Sequence, residues 1–181
     1  MSNIVDRLLS AFELVLKEPW SKSLSGKERV WFLVYDPAEQ RKIDLRLGDF
    51  ETATKKTEKK WVSISLKPCF PSWMTNHEYR EEYFTDPDRL VDQLESEFRK
   101  YAIDFLINEI QKNNTDENTL VVIKDVSSLF GFVRLSTVLD GVTNSFKGRL
   151  LVLFPGEFDK NQFRLLDARD GWSYLARPIL A

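Results

Sequence analysis

The 181-residue sequence has one cysteine, Cys69, and one histidine, His77. A lone cysteine excludes an intrachain disulfide and a cysteine-based zinc site. A lone histidine excludes the two-histidine zinc motif. Glycine and proline number only seven each, and no repeat or low-complexity tract is present. Neither sign of charge dominates: 26 Lys and Arg stand against 28 Asp and Glu, for a net charge of −2. Domains dedicated to nucleic acid are normally basic throughout, so this balance argues against direct DNA binding, although it permits a local basic patch. Long apolar runs are missing too. Residues 1–20 carry Asp6, Arg7, Glu13, Lys17 and Glu18, which excludes a signal peptide or membrane span there. The expectation is a soluble cytoplasmic protein without a membrane partner, and one cysteine suits a reducing compartment.

The phosphate-binding glycine loops are also absent. No Gly-x-Gly-x-x-Gly and no Gly-x-Ser-x-Gly string occurs, which removes the dinucleotide fingerprint and the hydrolase nucleophile elbow. The nearest approach to a Walker A loop is Ser25-Gly26-Lys27-Glu28. It lacks the upstream glycine and the magnesium-binding hydroxyl, and it precedes the first strand instead of following it. The strand is followed by Asp36-Pro37, a carboxylate and a missing N–H where a phosphate would need donors. No cofactor is expected.

What is present reads as alternating strands and helices. Ile4, Leu8, Phe12 and Val15 have helical spacing over about Asn3–Glu18, with Ser2 or Asn3 as cap and Pro19 as stop. Arg29–Asp36 is a near-continuous apolar run suited to a strand buried on both faces. Asp36-Pro37-Ala38-Glu39 opens a helix that carries Ile43, Leu47, Phe50 and Ala53 and ends near Lys56. Trp61–Leu66 and Thr119–Lys124 are further strands. Arg149–Phe154 is a fourth, stopped by Pro155-Gly156. Pro68–Phe84 reads as a loop with a short helix over Trp73–Tyr83. Leu90, Leu94, Phe98, Tyr101, Phe105 and Ile110 mark one long helix, and Arg134 to about Asn144 another. Phe163–Asp167 and Ser173–Ile179 suggest two late strands joined through Asp170-Gly171. This alternation predicts a three-layer α/β sandwich with a mostly parallel sheet and a C-terminal edge hairpin. It resembles a P-loop NTPase core without Walker A. Length predicts one domain over 1–181, with the helix of residues 1–19 packed on it or on a partner.

The chemistry-bearing residues are few. Asp36, Asp125, Ser127, Ser128 and Glu157 lie near strand ends, where open α/β sheets bind ligands. Converging, Asp36, Asp125 and Glu157 would support a divergent nucleotide- or metal-dependent enzyme; otherwise Asp36 caps a helix and the serines make turns. His77 has only Glu78 beside it in sequence, and Cys69 reads as a packed thiol. Lys55, Lys56, Lys59 and Lys60 could touch phosphates or complement a helix dipole. The segment Trp73, His77, Tyr79, Arg80, Tyr83 and Phe84 has the aromatic and arginine composition of an interface anchor.

Several long strings carry a family resemblance. They are Val30-Trp-Phe-Leu-Val-Tyr-Asp-Pro37, Trp73 through His77-Glu-Tyr-Arg80 to Tyr83-Phe84, Ser128-Leu-Phe-Gly-Phe-Val-Arg134, Gly148 to Glu157, and Phe163 to Ala176. Together they resemble the BrxB family of bacterial BREX phage-exclusion systems over nearly the whole chain, with departures at Phe163 and Ser173, where Tyr and Asn are expected. The resemblance implies a small cytoplasmic protein needed for defence against phages. The neighbours it implies are a methyltransferase, a large ATPase and PglZ, a protein of the alkaline phosphatase superfamily. It implies no established activity. The sequence therefore leads to a non-catalytic adaptor, with PglZ as the leading partner. Asp167, Arg169, Asp170 and Trp172 join the aromatic segment as candidate contacts, and Asp167 with Arg169 is a candidate ion pair.

Overall fold

The computed structural model describes residues 3–181. Five strands form a parallel sheet in the order β2-β3-β4-β1-β6, and β5 pairs antiparallel with β4. They are β1 (Val30–Tyr35), β2 (Lys60–Ser65), β3 (Thr119–Lys124), β4 (Arg149–Asp159), β5 (Gln162–Leu165) and β6 (Arg177–Ile179). β1 is buried at all six positions, as its unbroken apolar run predicts. Its side chains serve two cores by alternation. Val30, Phe32 and Val34 enter one apolar cluster, whereas Trp31, Leu33 and Tyr35 enter the other.

Helices α1 (Ile4–Leu16) and α2 (Gln40–Lys56) cover the second face. The first face is covered by α3 (Cys69–Thr75), α4 (Arg80–Thr85), α6 (Arg99–Lys112) and α7 (Leu135–Val142), with a single turn α5 (Val91–Gln93) in the connection between α4 and α6. Right-handed crossovers account for this division. The chain moves one way along the sheet from β1 to β2 and the opposite way through β3 to β4, so the connecting helices take opposite faces. The result is the expected three-layer α/β arrangement. α1 buries Val5, Leu8, Phe12, Val15 and Leu16 on this sheet and against α2. Asn3 caps it, its Oδ1 accepting from Val5 N at 3.3 Å; Ser2 lies outside the described residues.

The structure corrects four local expectations. Pro155-Gly156 does not stop β4, which continues to Asp159. Pro155 is the last residue paired with β1, and Gly156 the first paired with β5, so the missing N–H falls where β4 changes partners. Phe163–Asp167 and Ser173–Ile179 do not form an edge hairpin. Phe163 makes one isolated bridge to Trp172, the residue before the second segment, after which β6 joins β1 in parallel. Pro178 is tolerated because β6 is an edge strand. The single helix expected over Trp73–Tyr83 is replaced by α3 and α4, separated by Asn76–Tyr79.

The long helix is broken as well. A 3-10 turn at Pro87–Leu90, α5 and a π-helical turn at Leu94–Phe98 precede α6. From the last residue of the π turn onward the buried residues are Phe98, Ala102, Leu106 and Ile110, four apart, while Tyr101 and Phe105 are only partly buried.

Candidate functional site

A cleft of about 510 Å³ opens near the carboxyl end of β3. Its first wall is the loop after that strand. Asp125 adopts a left-handed conformation at φ 62°, a 3-10 turn spans Val126–Leu129, and Ser128 Oγ donates to Asp125 O at 2.6 Å. Val126 and Leu129 are buried and fix this loop. Gly131, at φ 81°, lets it reverse between Phe130 and Phe132. The opposite wall is the segment from Leu165 to Trp172, and Glu95 reaches the cleft from the π turn. Arg134 and Arg169 both line it, and neither makes an ion pair among the described residues.

The turn candidates thus reach the cleft in different ways. Trp172 packs beneath its loop, 5.7 Å from Phe163, 5.9 Å from Phe32 and 6.0 Å from Phe154 between ring centroids. Arg169 and Asp170 line the opening. Asp167 and Arg169 are exposed, and the expected ion pair between them is not formed. Phe130, Arg134 and Glu95 are additions that sequence reasoning did not select as a site. Arg134 and the Phe130-Gly131-Phe132 string stood among the residues carrying the family resemblance, which was the available signal.

The aromatic segment divides into packed and exposed members. Trp73 is buried against Phe98 at 5.2 Å and Phe70 at 5.9 Å. Phe70 in turn stacks on Phe132 at 4.1 Å, which links this segment to the cleft loop. Tyr83 is buried too. His77 lies edge-on to Trp73; its Nδ1 accepts from Tyr79 N at 3.1 Å and its Nε2 lies 3.0 Å from Glu97. With Nδ1 accepting, the Nε2–H tautomer donates to that carboxylate. His77 therefore ties the α3–α4 connection to the π turn. Arg80 donates from Nη1 to Thr75 O at 2.7 Å. Trp73 and Tyr83 are thus core residues and not free surface anchors; Tyr79 and Phe84 remain exposed. α3 and α4 are each under two turns long, too short for sequence spacing to separate the two groups.

Two of the three candidate carboxylates share a crevice, and Asp125 is not among its lining residues. Asp36 and Glu157 line a separate crevice of about 420 Å³ between the carboxyl ends of β1 and β4. Asp36 Oδ1 caps the following turn by accepting from Ala38 N at 2.8 Å. Asp125 is instead engaged by Ser65 Oγ and lies 3.7 Å from Lys67 Nζ. Among the described residues no three His, Cys, Asp or Glu side chains are grouped to hold a metal ion. No helix among them is long and apolar enough to cross a membrane. The lysine run lies at the opposite end of the sheet, where α2 ends and β2 begins. Lys55 pairs with Glu51 and Lys60 with Asp116. Lys59 donates to Asn118 Oδ1 at 3.0 Å and sits over the Trp20 ring, while Lys56 is exposed in the last turn of α2.

Cys69 is buried, and burial pushes its thiol up to about 11. The thiolate is the reactive form. A disulfide reagent at pH 7.5 is accordingly expected to leave the native chain unlabelled and to label it fully in denaturant. Rapid native labelling would contradict a packed thiol.

The BrxB family model, described as "BREX protein BrxB", matches residues 71–177. No curated protein and no solved structure matches the chain, and the likeness to a P-loop NTPase core is not confirmed by comparison. The matched span runs from α3 into β6 and contains every residue lining the larger cleft. Several residues of the smaller crevice, Ile4, Leu8 and Val34 to Asp36, lie before it. A match over more than half the chain places it in a family: the chain belongs to the BrxB family, whose members are components of BREX phage-defence systems.

Proposed function

We propose that this chain is a non-catalytic adaptor of its BREX complex and that PglZ is the partner it engages. The cleft carries this reading. It joins aromatic walls at Phe130, Phe132 and Trp172 to Arg134 and Arg169, both free of ion pairs among the described residues, and it lies wholly within the family match. Arginine and large aromatic side chains on a fixed scaffold are the usual energetic centres of protein interfaces. The nucleophile and base types support it further. Cys69 is buried, and His77 bridges two elements. A protein built this way acts through a neighbour that has chemistry of its own.

The test is co-purification with the PglZ encoded in the same system, followed by sizing in moderate salt. The parent chain is expected to elute in a stable complex. Arg134→Glu with Arg169→Glu should weaken that complex by on the order of 30-fold, about 2 kcal/mol, with an unchanged melting curve because both residues are exposed. Separate elution of the parent and PglZ would sink the proposed pairing. Full retention by the folded double variant would remove the cleft from the interface.

A further inference from the structure

A second surface has a different character. Residues 78–97 hold eight carboxylates against two arginines, a net charge of −6 within a chain of net −2. The remainder is therefore at +4. All eight acidic residues are exposed. Both arginines are already engaged: Arg80 with Thr75 O and Glu81, Arg89 with Glu82 and Asp86. Set among these charges are three exposed apolar side chains, Tyr79 at 49%, Phe84 at 68% and Val91 at 61%.

The fold explains why they stay outside. The segment is a chain of short pieces, α4, a 3-10 turn, α5 and a π turn, packed in succession. It is held to the core through Tyr83 and Leu94, and by His77 on Glu97. Tyr83 in α4, Leu90 in the 3-10 turn and Leu94 in the π turn are spent on that attachment. Phe84 in α4 and Val91 in α5 are left in solvent, in the same run of chain as the carboxylates. A lone exposed apolar residue needs no explanation. Three inside a concentrated negative field combine an apolar contact with electrostatic selection of the partner.

We infer that Tyr79, Phe84 and Val91, framed by the carboxylates of residues 78–97, form a docking surface for a lysine- and arginine-rich amphipathic helix of a partner protein. Charge complementarity selects this occupant. Phosphate backbones and anionic bilayers are repelled by a surface of net −6, whereas a basic amphipathic helix presents an apolar stripe flanked by cations. The inference extends the adaptor reading to a second face; it shares Glu95 with the cleft but uses neither cleft arginine, so either can fail alone.

The experiment uses the full chain and a labelled 18-residue peptide with leucines on one helical face and lysines on the other. Binding is read by fluorescence anisotropy at two salt concentrations. The parent is expected to bind, more weakly at higher salt. Phe84→Ser with Val91→Ser should raise Kd at least tenfold, and Asp88→Asn with Asp92→Asn should do the same. Leu14→Ser with Leu45→Ser, which removes two exposed apolar residues on α1 and α2, should leave Kd unchanged. Equal affinity of parent and Phe84/Val91 variant overturns the inference, as does an equal loss in the Leu14/Leu45 control. Sizing of the parent alone adds one more check: a dimer abolished by the Phe84 and Val91 changes would make a second copy the occupant and overturn the basic-helix assignment. Arg134→Glu with Arg169→Glu is expected to bind the peptide as the parent does, which separates this surface from the PglZ reading.

Discussion

Phe32→Ala is expected to destabilise the fold by about 3–5 kcal/mol, the range for removing a fully buried aromatic ring. Phe32 sits in the middle of β1, between β4 and β6, with no exposed surface. Its ring lies 4.5 Å from that of Phe163, 5.1 Å from Phe154, 5.8 Å from Tyr174 and 5.9 Å from Trp172. Truncation would leave a void beneath the segment that forms one wall of the cleft. The loss should therefore be double: a lower denaturation midpoint and, in whatever chain remains folded, weaker capture of PglZ. Phe32→Leu retains much of the volume and should cost much less. A melting curve for Phe32→Ala within about 1 kcal/mol of the parent would show that these aromatic contacts do not organise the site.

Gly156→Ala should detach β5 while leaving the parallel sheet standing. A Cβ at Gly156 would lie 2.0 Å from Arg164 O and 2.9 Å from the Phe154 ring. The first of these is backbone and cannot swing away. Gly156 pairs with Leu165, and Leu166 N donates to Pro155 O at 2.9 Å immediately beyond. Relief of the clash requires the two strands to part. Overpacking of this kind costs about 1–3 kcal/mol and sometimes more. Hydrogen exchange should show lost protection over residues 162–166, with β1 and β3 unchanged. Gly48→Ala is the control, because nothing lies within 4 Å of its added Cβ in α2; it should be neutral or slightly stabilising. Equal protection in Gly156→Ala and the parent would mean that the strands accommodate a methyl group without separating.

Much of the scaffold was legible in the residues. The six buried positions of β1 follow from an unbroken apolar run, and the two faces of the sheet follow from strict alternation along it. Asn3 and Asp36 act as the caps their side chains predict. The absence of a glycine loop after β1 leaves a capped turn there, as Asp36-Pro37 dictates. These are local matters, decided by one residue's side chain or by a short period.

The site was only half legible. The strings that carried the family resemblance, Ser128–Arg134 and Phe163–Ala176, do supply the walls of the cleft. Nothing in them said that they would face one another. The aromatic segment was visible as a composition, but its division into buried Trp73 and Tyr83 and exposed Tyr79 and Phe84 was not.

The sequence by itself therefore determined the alternation of elements, the caps, the buried central strand and the charge of each segment, because these depend on neighbours within a few positions. The tertiary structure alone decided that β4 passes through Pro155 and changes partners, that β6 takes the far edge beside β1, and that Trp172 lies under its loop against Phe32. Each of those outcomes is a contact between segments far apart in the chain, set by which surfaces are left to be covered once the sheet has formed. No local pattern encodes that remainder.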